Sequence, residues 1–449
     1  MDFRQQKLWL ALKIMGTGMI LALIWHGIQG WVLGRSYPYN TFLYIPSERF
    51  SDFTYPVVYT TLPTPYLSRY ADYFPLTYLI LRFFIHLNAR MVVLGFVLSF
   101  SFGIFLVLSK ALRPVIDNGP KRLAAAAALM AFSYPFLFCL DRGNLEIILV
   151  LFVSLALLLF KDRRWHTGMA SLLPAVCIKF YPILLMTLFI RPRHLLKLVG
   201  MVVAFFGIGI LCVMTFTGTL LDNWQLWQNN LAFYHSAYVV GNGGLAGSAS
   251  IWNTLKILVF TYLSFVPTEI TIADLPGLIE QLYRTYVVLD LAWIGFIVAY
   301  TLLVEREFYR RAILFLLIAS MAAPSGGDYK LLFAQIALVV FILLPTRRPR
   351  DLTILCCLAF VMVPKREVLL TYLGRTDSGA ADISVAVLIN PLLMVVAMVL
   401  LMMDGFQPGV WRHIGLRFRR LFHIFIRFLP HSQGKKAAET SPGSIALPR

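Results

Sequence analysis

The sequence predicts an all-α polytopic membrane protein. Of its 449 residues, 59% are hydrophobic and 14% are charged, and the mean hydropathy of +0.74 is far above the range of soluble domains. The apolar residues form long runs that short basic segments separate. These observations predict about twelve transmembrane or re-entrant helices, with long outer loops that carry juxtamembrane helices.

The first apolar run, from about Leu8 to Leu33, contains the first predicted span, near 8–30. It is too long for the apolar region of a secretory signal peptide and has no small-residue cleavage site. We therefore expect it to remain attached as a membrane helix.

Basic clusters between the apolar runs predict the orientation of the chain. The positive-inside rule places them, and with them both chain ends, in the cytoplasm, so the remaining loops face outward. They also account for the net charge of +18 without a basic face for nucleic acid, and no nucleic-acid partner is predicted. The clusters are Arg4/Lys7, Lys110/Arg113/Lys121/Arg122, Lys161/Arg163/Arg164, Arg191/Arg193/Lys197, Arg306/Arg310/Arg311, Arg347/Arg348/Arg350 and the tail from Arg412.

Two apolar segments are interpreted differently from ordinary spans. Residues 167–190 lie between two cytoplasmic clusters and are too short for two crossings, so they are predicted as a pair of short, broken helices with "IKFYP" at the tip. Residues 251–266 must begin and end outside, which predicts a juxtamembrane or re-entrant helix. The ordinary spans are predicted near 8–30, 91–112, 121–139, 144–161, 197–217, 284–304, 310–324, 330–345, 351–364 and 383–403.

The predicted organisation has three parts. Residues 1–217 form a transmembrane module with the first outer loop at 31–90, and residues 218–403 contain the second outer loop and the C-terminal helices. Residues 404–449 form a basic cytoplasmic tail, whose segment 410–428 has the composition of an amphipathic helix on anionic lipid. The five cysteines lie in apolar runs without metal-ligand spacing and are interpreted as small hydrophobic residues, so no metal site is predicted.

Ionisable residues on the outer side are candidates for chemistry, since burying them at a membrane is unfavourable without a partner. Asp52 lies among aromatic residues in "FSDFTY", an environment that can suit a carboxylate to general-base work. A solvated loop carboxylate is the alternative, and Asp72 competes for the same role unless it pairs with Arg69. The candidate substrate contacts are Asp72, Arg69, Asn144, Glu146, Tyr181, Trp224, Trp227, Asn242 and Lys256.

Two cations are candidates for binding a phosphate. Lys179 in "IKFYP" is far from either basic flank, which favours a phosphate-binding role over a structural ion pair. Arg142 in "DRGNLE" could bind a phosphate or be neutralised by the neighbouring Asp141.

The second outer loop offers weaker signals. Trp224 and Trp227 in "DNWQLWQNN" suit either sugar rings or an interfacial anchor. The glycine-rich "GNGGLAGSAS", which contains Asn242, is predicted to be a flexible loop or lid. In "APSGGDYK", Asp328 and Lys330 are interpreted as solvated.

Taken together, these segments resemble a known superfamily. The aspartate in "FSDF", the step "YFPLTYLILR", and the pair "DRGNLEIILVLF" and "GMASLLPAVCIKFYPILLMTLFIRPR" are similar to polyprenyl-phosphate-sugar-dependent glycosyltransferases of the GT-C superfamily. The resemblance is closest to glycosyltransferase family 87 and the GPI-type mannosyltransferases. The chain departs from many relatives in carrying a single aspartate where they have an acidic, tyrosine-rich first loop.

The resemblance implies a GT-C-like fold and an inverting sugar transfer in a bacterial inner membrane, with the active site facing the periplasm or exterior. A polyprenyl-phosphate sugar would donate a hexose or pentose to a glycan or glycolipid acceptor of the cell envelope, and no cofactor is expected. Asp52 would act as the base, and Lys179 and Arg142 would bind the donor phosphate. A lipid or glycolipid transporter or flippase is the alternative, although no inverted repeat is evident.

Overall fold

The computed structural model describes residues 2–85, 89–189, 195–241, 245, 248–265, 275–345, 347–365, 369–371 and 382–406. Helices dominate this part of the chain. Its one sheet pairs the short strands β1 (Leu369–Thr371) and β2 (Asp382–Ser384) antiparallel. The α-helices are α1 (Phe3–Gly27), α2 (Ser51–Tyr59), α3 (Pro75–Arg82), α4 (Ala89–Ala111), α5 (Gly119–Ala131), α6 (Tyr134–Arg142), α7 (Glu146–Lys161), α8 (Trp165–Ile178), α9 (Leu195–Val213), α10 (Leu220–Tyr234), α11 (Ile251–Phe265), α12 (Leu275–Leu303), α13 (Phe308–Met321), α14 (Leu332–Leu343), α15 (Asp351–Val361) and α16 (Ala386–Met403).

Several of these helices are able to cross a membrane. Five in the described part of the chain are long and apolar enough by length and composition, and a bent pair raises the number to six. The predicted class of polytopic helical membrane protein is therefore supported, whereas the count of about twelve spans and the three-part organisation remain predictions. The five are Phe3–Val32, Met91–Ala111, Leu196–Val213, Leu275–Leu303 and Ala386–Met403.

The bent pair is α5 and α6, which the sequence predicted as one straight span near 121–139. The chain bends by 66° between the two helices. Ser133 accepts a hydrogen bond from the Phe136 N–H and caps α6, and Pro135 occupies its first turn, where a missing N–H is tolerated. A new helix start at Ser133 therefore interrupts the predicted span.

The prediction of a broken pair at 167–190 is confirmed. Helix α8 ends at Ile178, Lys179 is extended, and a 3₁₀-helix follows over Tyr181–Phe189. Pro182 lacks an N–H and cannot continue the α-helical hydrogen bonding. Lys179 and Phe180 therefore form the break.

Helices α13 and α14 form the centre of the protein, and nearly all of their residues are buried. The fully buried Arg310 of α13 forms an ion pair with Asp351, with 2.9 Å between Nη2 and Oδ1. Arg310 is one of the basic residues that the positive-inside rule assigns to the cytoplasm, and that assignment stays a prediction. The structure adds that Arg310 belongs to a buried ionic network, because a guanidinium without water needs carboxylate partners.

Some predictions fall outside the described residues. The amphipathic segment 410–428, Asn242, and the rest of the tail beyond residue 406 lie there. The predicted juxtamembrane segment 251–266 does form a helix, α11, over Ile251–Phe265.

Candidate functional site

A cavity of about 760 Å³ lies among the loop at 31–90, which the sequence predicts to face outward, the C-terminal end of α10 and the turn at 325–329. It brings together segments that are up to 285 residues apart in the sequence, from position 44 to position 329. Its lining consists of Tyr44, Glu48, Ser51, Asp52, Tyr55, Pro56, Tyr59, Arg69, Tyr70, Asp72, Tyr73, Phe138, Arg142, Phe233, Tyr234, Tyr238, Ser248, Ser325, Gly326, Gly327 and Tyr329.

Two properties of this lining suit a carbohydrate. Ten of the lining residues are phenylalanine or tyrosine, and their ring faces can pack on sugar rings. Three carboxylates and two guanidinium groups supply hydrogen bonds and charge at the same surface: Glu48, Asp52, Asp72, Arg69 and Arg142.

Asp52 lies in the first turn of α2 and is bound by two residues of the "DRGNLE" segment. Its Oδ1 accepts a short hydrogen bond from the Arg142 guanidinium, and its Oδ2 accepts one from Asn144 Nδ2 at 2.6 Å. The carboxylate is therefore paired rather than solvated or enclosed by apolar walls. Phe53, its neighbour, is buried against Phe84 and Phe96 instead.

Gly143 permits the close approach between α2 and the segment that follows α6. It has a φ of +62°, and an added Cβ would lie 3.2 Å from the Phe50 Cα. Only glycine adopts this conformation without strain while leaving room for the neighbouring backbone. The turn at Gly143 therefore brings Arg142 and Asn144 to the same carboxylate.

Arg142 is fixed by further contacts that do not involve Asp52. Its Nη1 donates to the Glu48 carbonyl at 3.1 Å, and its guanidinium lies 4.3 Å from the centre of the Tyr44 ring. Asp141 pairs instead with Arg49, with 3.2 Å between Oδ1 and Nε. The alternative in which Asp141 and Arg142 neutralise each other is therefore wrong.

A second ionic group lies behind the cavity wall. The fully buried Glu146 accepts a hydrogen bond from Lys179 Nζ at 2.6 Å and a short one from the Tyr181 hydroxyl. The Lys179 ammonium also lies 5.1 Å from the Tyr73 ring centre and 5.2 Å from that of Tyr329. Lys179 thus forms a structural ion pair, the alternative to phosphate binding that the sequence left open. It does not line the cavity, but its ammonium contacts the rings of Tyr73 and Tyr329, which do.

Asp328 and Lys330 are buried, so their interpretation as solvated residues was wrong. Asp328 accepts a hydrogen bond from the Tyr134 hydroxyl at 2.7 Å. Lys330 donates to the Ser325 carbonyl at 2.9 Å and lies 5.5 Å from the Tyr181 ring centre. Both residues fix the turn that contributes Ser325 to the cavity.

Arg69 and Asp72 line the cavity without pairing with each other. Within the described part of the chain Arg69 forms no ion pair, and its guanidinium lies 5.1 Å from the Tyr70 ring centre and 4.9 Å from that of Phe233. Burial raises the pKa of the Asp72 carboxyl above its ordinary value, and the positive charge of Lys179 opposes that rise.

Three other candidate contacts lie away from the cavity lining. Trp227 Nε1 donates to the Asp72 carbonyl at 3.3 Å, and Trp224 is half exposed beside it. Lys256 is buried in α11 and donates to the carbonyls of Tyr238 and Gly241 at 3.3 and 3.0 Å. The sugar-contact interpretation of the tryptophans and the substrate-contact interpretation of Lys256 therefore have no geometric support.

Most of the cavity wall was not predicted from the sequence. Only four of the predicted site residues line it, Asp52, Arg69, Asp72 and Arg142, whereas eight tyrosines and the turn at 325–327 form much of the lining. The signal was present in the first outer loop, where Tyr44, Tyr55, Tyr59, Tyr70 and Tyr73 recur. Within the described part of the chain, no group of three or more His, Cys, Asp or Glu side chains is suited to hold a metal ion.

The fold and the cavity define a helical membrane protein with a polar, tyrosine-rich site fixed by ionic pairs. Residues 70–324, more than half of the chain, match the family model of glycosyltransferase family 87. The chain belongs to glycosyltransferase family 87, which confirms the resemblance, and it is a membrane glycosyltransferase rather than the transporter considered as the alternative. No curated protein and no solved structure matches the chain. The matched range contains Asp72, Arg142 and Lys179, while Asp52 precedes it.

Proposed function

We propose that this protein transfers a hexose such as mannose or glucose, or a pentose, from a polyprenyl-phosphate donor to a glycan or glycolipid acceptor of the cell envelope. The transfer takes place at the outer face of a bacterial inner membrane and inverts the anomeric centre. The observation that carries the proposal is the contact between Asp52 and Arg142 in the wall of a tyrosine-rich cavity. The contact supports the proposal because one partner is the proposed base and the other is the proposed phosphate-binding cation. The experiment that tests the donor class is transfer of labelled sugar from polyprenyl-phosphate sugars.

Asp52 is the proposed base. Its carboxylate takes the proton of the acceptor hydroxyl as the acceptor oxygen bonds to the anomeric carbon of the donor sugar. The bond between that carbon and the phosphate oxygen breaks, and polyprenyl phosphate leaves with the electron pair. Because a single displacement from the opposite face forms the new bond, the anomeric configuration inverts.

Arg142 is the proposed contact of the leaving phosphate, since a guanidinium binds phosphate oxygens in a two-pronged geometry. Positive charge there stabilises the negative charge that develops as the phosphate leaves. Arg142 already binds Asp52 through Nη2, and in this proposal the phosphate takes the place of the carboxylate at that nitrogen. The contacts of Arg142 with Glu48 and Tyr44 keep it in place during this exchange. Donor binding would thus release the Asp52 Oδ1 for the acceptor hydroxyl.

Lys179 is proposed to support the same phosphate through its charge from behind Tyr73 and Tyr329. The simple Lys179→Gln variant should unfold more easily, because it leaves the buried Glu146 carboxylate with the Tyr181 hydroxyl but without a cation. The double variant Lys179→Met/Glu146→Gln removes both charges and should recover stability while binding undecaprenyl phosphate more weakly than wild type. Melting temperature and affinity are measured on the same preparations. A stable double variant with wild-type affinity would assign Lys179 to the fold alone.

The orientation is proposed from the basic clusters and has its own test. Gln228 is exposed on α10, the helix whose C-terminal residues line the cavity, and Asp162 is exposed in the turn between α7 and α8. In intact cells, Gln228→Cys should react with an impermeant thiol reagent and Asp162→Cys should not, with the wild-type protein as the background control. The reverse labelling pattern would put the cavity on the cytoplasmic side and exclude an outer-face reaction.

A further inference from the structure

We propose that Asn230 is a positioning residue of the transfer reaction: it holds the loop at 64–73 so that Arg69 and Asp72 face the cavity. The catalytic part of this inference rests on the proposed function. The geometric part concerns α10 and the first outer loop alone, and it is testable without any substrate.

One side-chain amide binds the loop at three points. Asn230 Nδ2 lies 3.0 Å from the Tyr66 carbonyl oxygen, 2.9 Å from that of Ser68 and 3.0 Å from that of Ala71. The amide has two hydrogens, so one of them is shared between two carbonyls. Asn230 is only 5% exposed, and no water replaces these bonds without opening the loop.

Asn230 shares one face of α10 with two other side chains that bind this loop, Asn223 and Trp227. Asn223 accepts a hydrogen bond from the Thr64 hydroxyl at 2.5 Å, and the Trp227 indole donates to the Asp72 carbonyl at 3.3 Å. Positions 223, 227 and 230 follow the spacing of four and three residues that places side chains on one side of a helix. The segment "DNWQLWQNN" therefore binds the loop at 64–73 through three side chains on one side of α10.

The loop also binds to itself around the Asn230 amide. The Tyr66 hydroxyl donates to the Tyr73 carbonyl at 3.1 Å, and the Ala71 N–H donates to the Ser68 carbonyl at 2.9 Å. Tyr66 and Ala71 are buried, whereas Arg69 and Asp72 line the cavity. The loop thus has an inner side that Asn230 holds and an outer side that faces the substrate space.

The test compares Asn230→Ala and Asn230→His with the control Asn229→Ala. A histidine N–H can replace one of the three hydrogen bonds, and Asn229 is an exposed neighbour on the same helix. Hydrogen exchange of the backbone at 64–73 should be fastest in the alanine variant, intermediate in the histidine variant and unchanged in the control. Transfer should fall by about 10²-fold in Asn230→Ala, the typical effect of a misplacement of about 1 Å, with partial rescue by histidine. Affinity for undecaprenyl phosphate should stay at the wild-type value.

Two results would overturn the inference. Unchanged exchange at 64–73 in a folded Asn230→Ala variant would show that the amide does not hold the loop. If the backbone hydrogens at 64–73 exchange faster but sugar transfer is as fast as in Asn229→Ala, the position of the loop does not affect catalysis. If Asn230→Ala fails to fold, the histidine variant decides by the same two measurements. A wild-type protein inactive with every polyprenyl-phosphate sugar would refute the proposed function, and the exchange data would still decide the geometric part.

Discussion

The Asp52→Asn variant should transfer sugar more slowly than the wild-type protein by about 10²–10⁴-fold or more, the usual effect of losing a general base. Asparagine has nearly the same shape and can still accept a hydrogen bond from Arg142, but it cannot take a proton from the acceptor. The fold should therefore be retained. Initial rates of sugar transfer at saturating donor are the measurement.

The same variant makes a second, less obvious expectation testable. If the donor phosphate displaces Asp52 from Arg142, removing the carboxylate removes a competitor. Asp52→Asn should then bind undecaprenyl phosphate more tightly than the wild-type protein. Asp72→Asn is the matched control, because Asp72 lines the same cavity without binding Arg142. If Asp72→Asn is inactive and Asp52→Asn keeps wild-type turnover, Asp72 is the base and Asp52 is not.

Arg142→Gln should weaken undecaprenyl phosphate binding by about 10- to 100-fold, the equivalent of one charge-assisted hydrogen bond. Transfer should fall by more than binding, because the charge on the phosphate grows as it leaves. Arg142→Lys should retain part of the affinity, since it keeps the charge but loses the two-pronged geometry. Equilibrium binding and single-turnover rates distinguish these effects.

Arg49→Gln is the control for this series. Arg49 pairs with Asp141 through a half-exposed side chain and does not line the cavity. The double variant Asp52→Asn/Arg142→Gln tests directly whether the phosphate replaces Asp52 at Arg142. The gain in phosphate affinity from Asp52→Asn should disappear when Arg142 is absent. An Arg142→Gln variant with wild-type affinity for undecaprenyl phosphate would remove Arg142 from the phosphate site.

The sequence predicted those features that depend on local chemistry. The break after Ile178 followed from the short distance between two basic clusters and from Pro182, and the structure contains it. Asp52, Arg142 and Asn144 were selected as ionisable or amide groups on the outer side, and the structure brings all three into contact. Their catalytic roles remain predictions.

Features that depend on long-range packing were not predictable in this way. Asp328 lies in a glycine-rich turn whose composition is typical of a solvated loop, but it is buried and accepts a hydrogen bond from Tyr134, 194 residues earlier. Lys179 has its partner Glu146 at the start of α7, 33 residues earlier. The amide of Asn230 binds a loop about 160 residues earlier. A sequence displays none of these pairings, since each depends on where distant segments meet.

The most direct test of the account is the choice of donor by the purified protein. Labelled sugars are supplied either on undecaprenyl phosphate or as nucleotide sugars, and a solvent extract of envelope glycolipids, free of active enzymes, supplies the acceptor. We expect label in the acceptor fraction with at least one polyprenyl-phosphate sugar, with none from nucleotide sugars and none in the Asp52→Asn variant. Transfer from a nucleotide sugar, with no transfer from any polyprenyl-phosphate sugar, would contradict it.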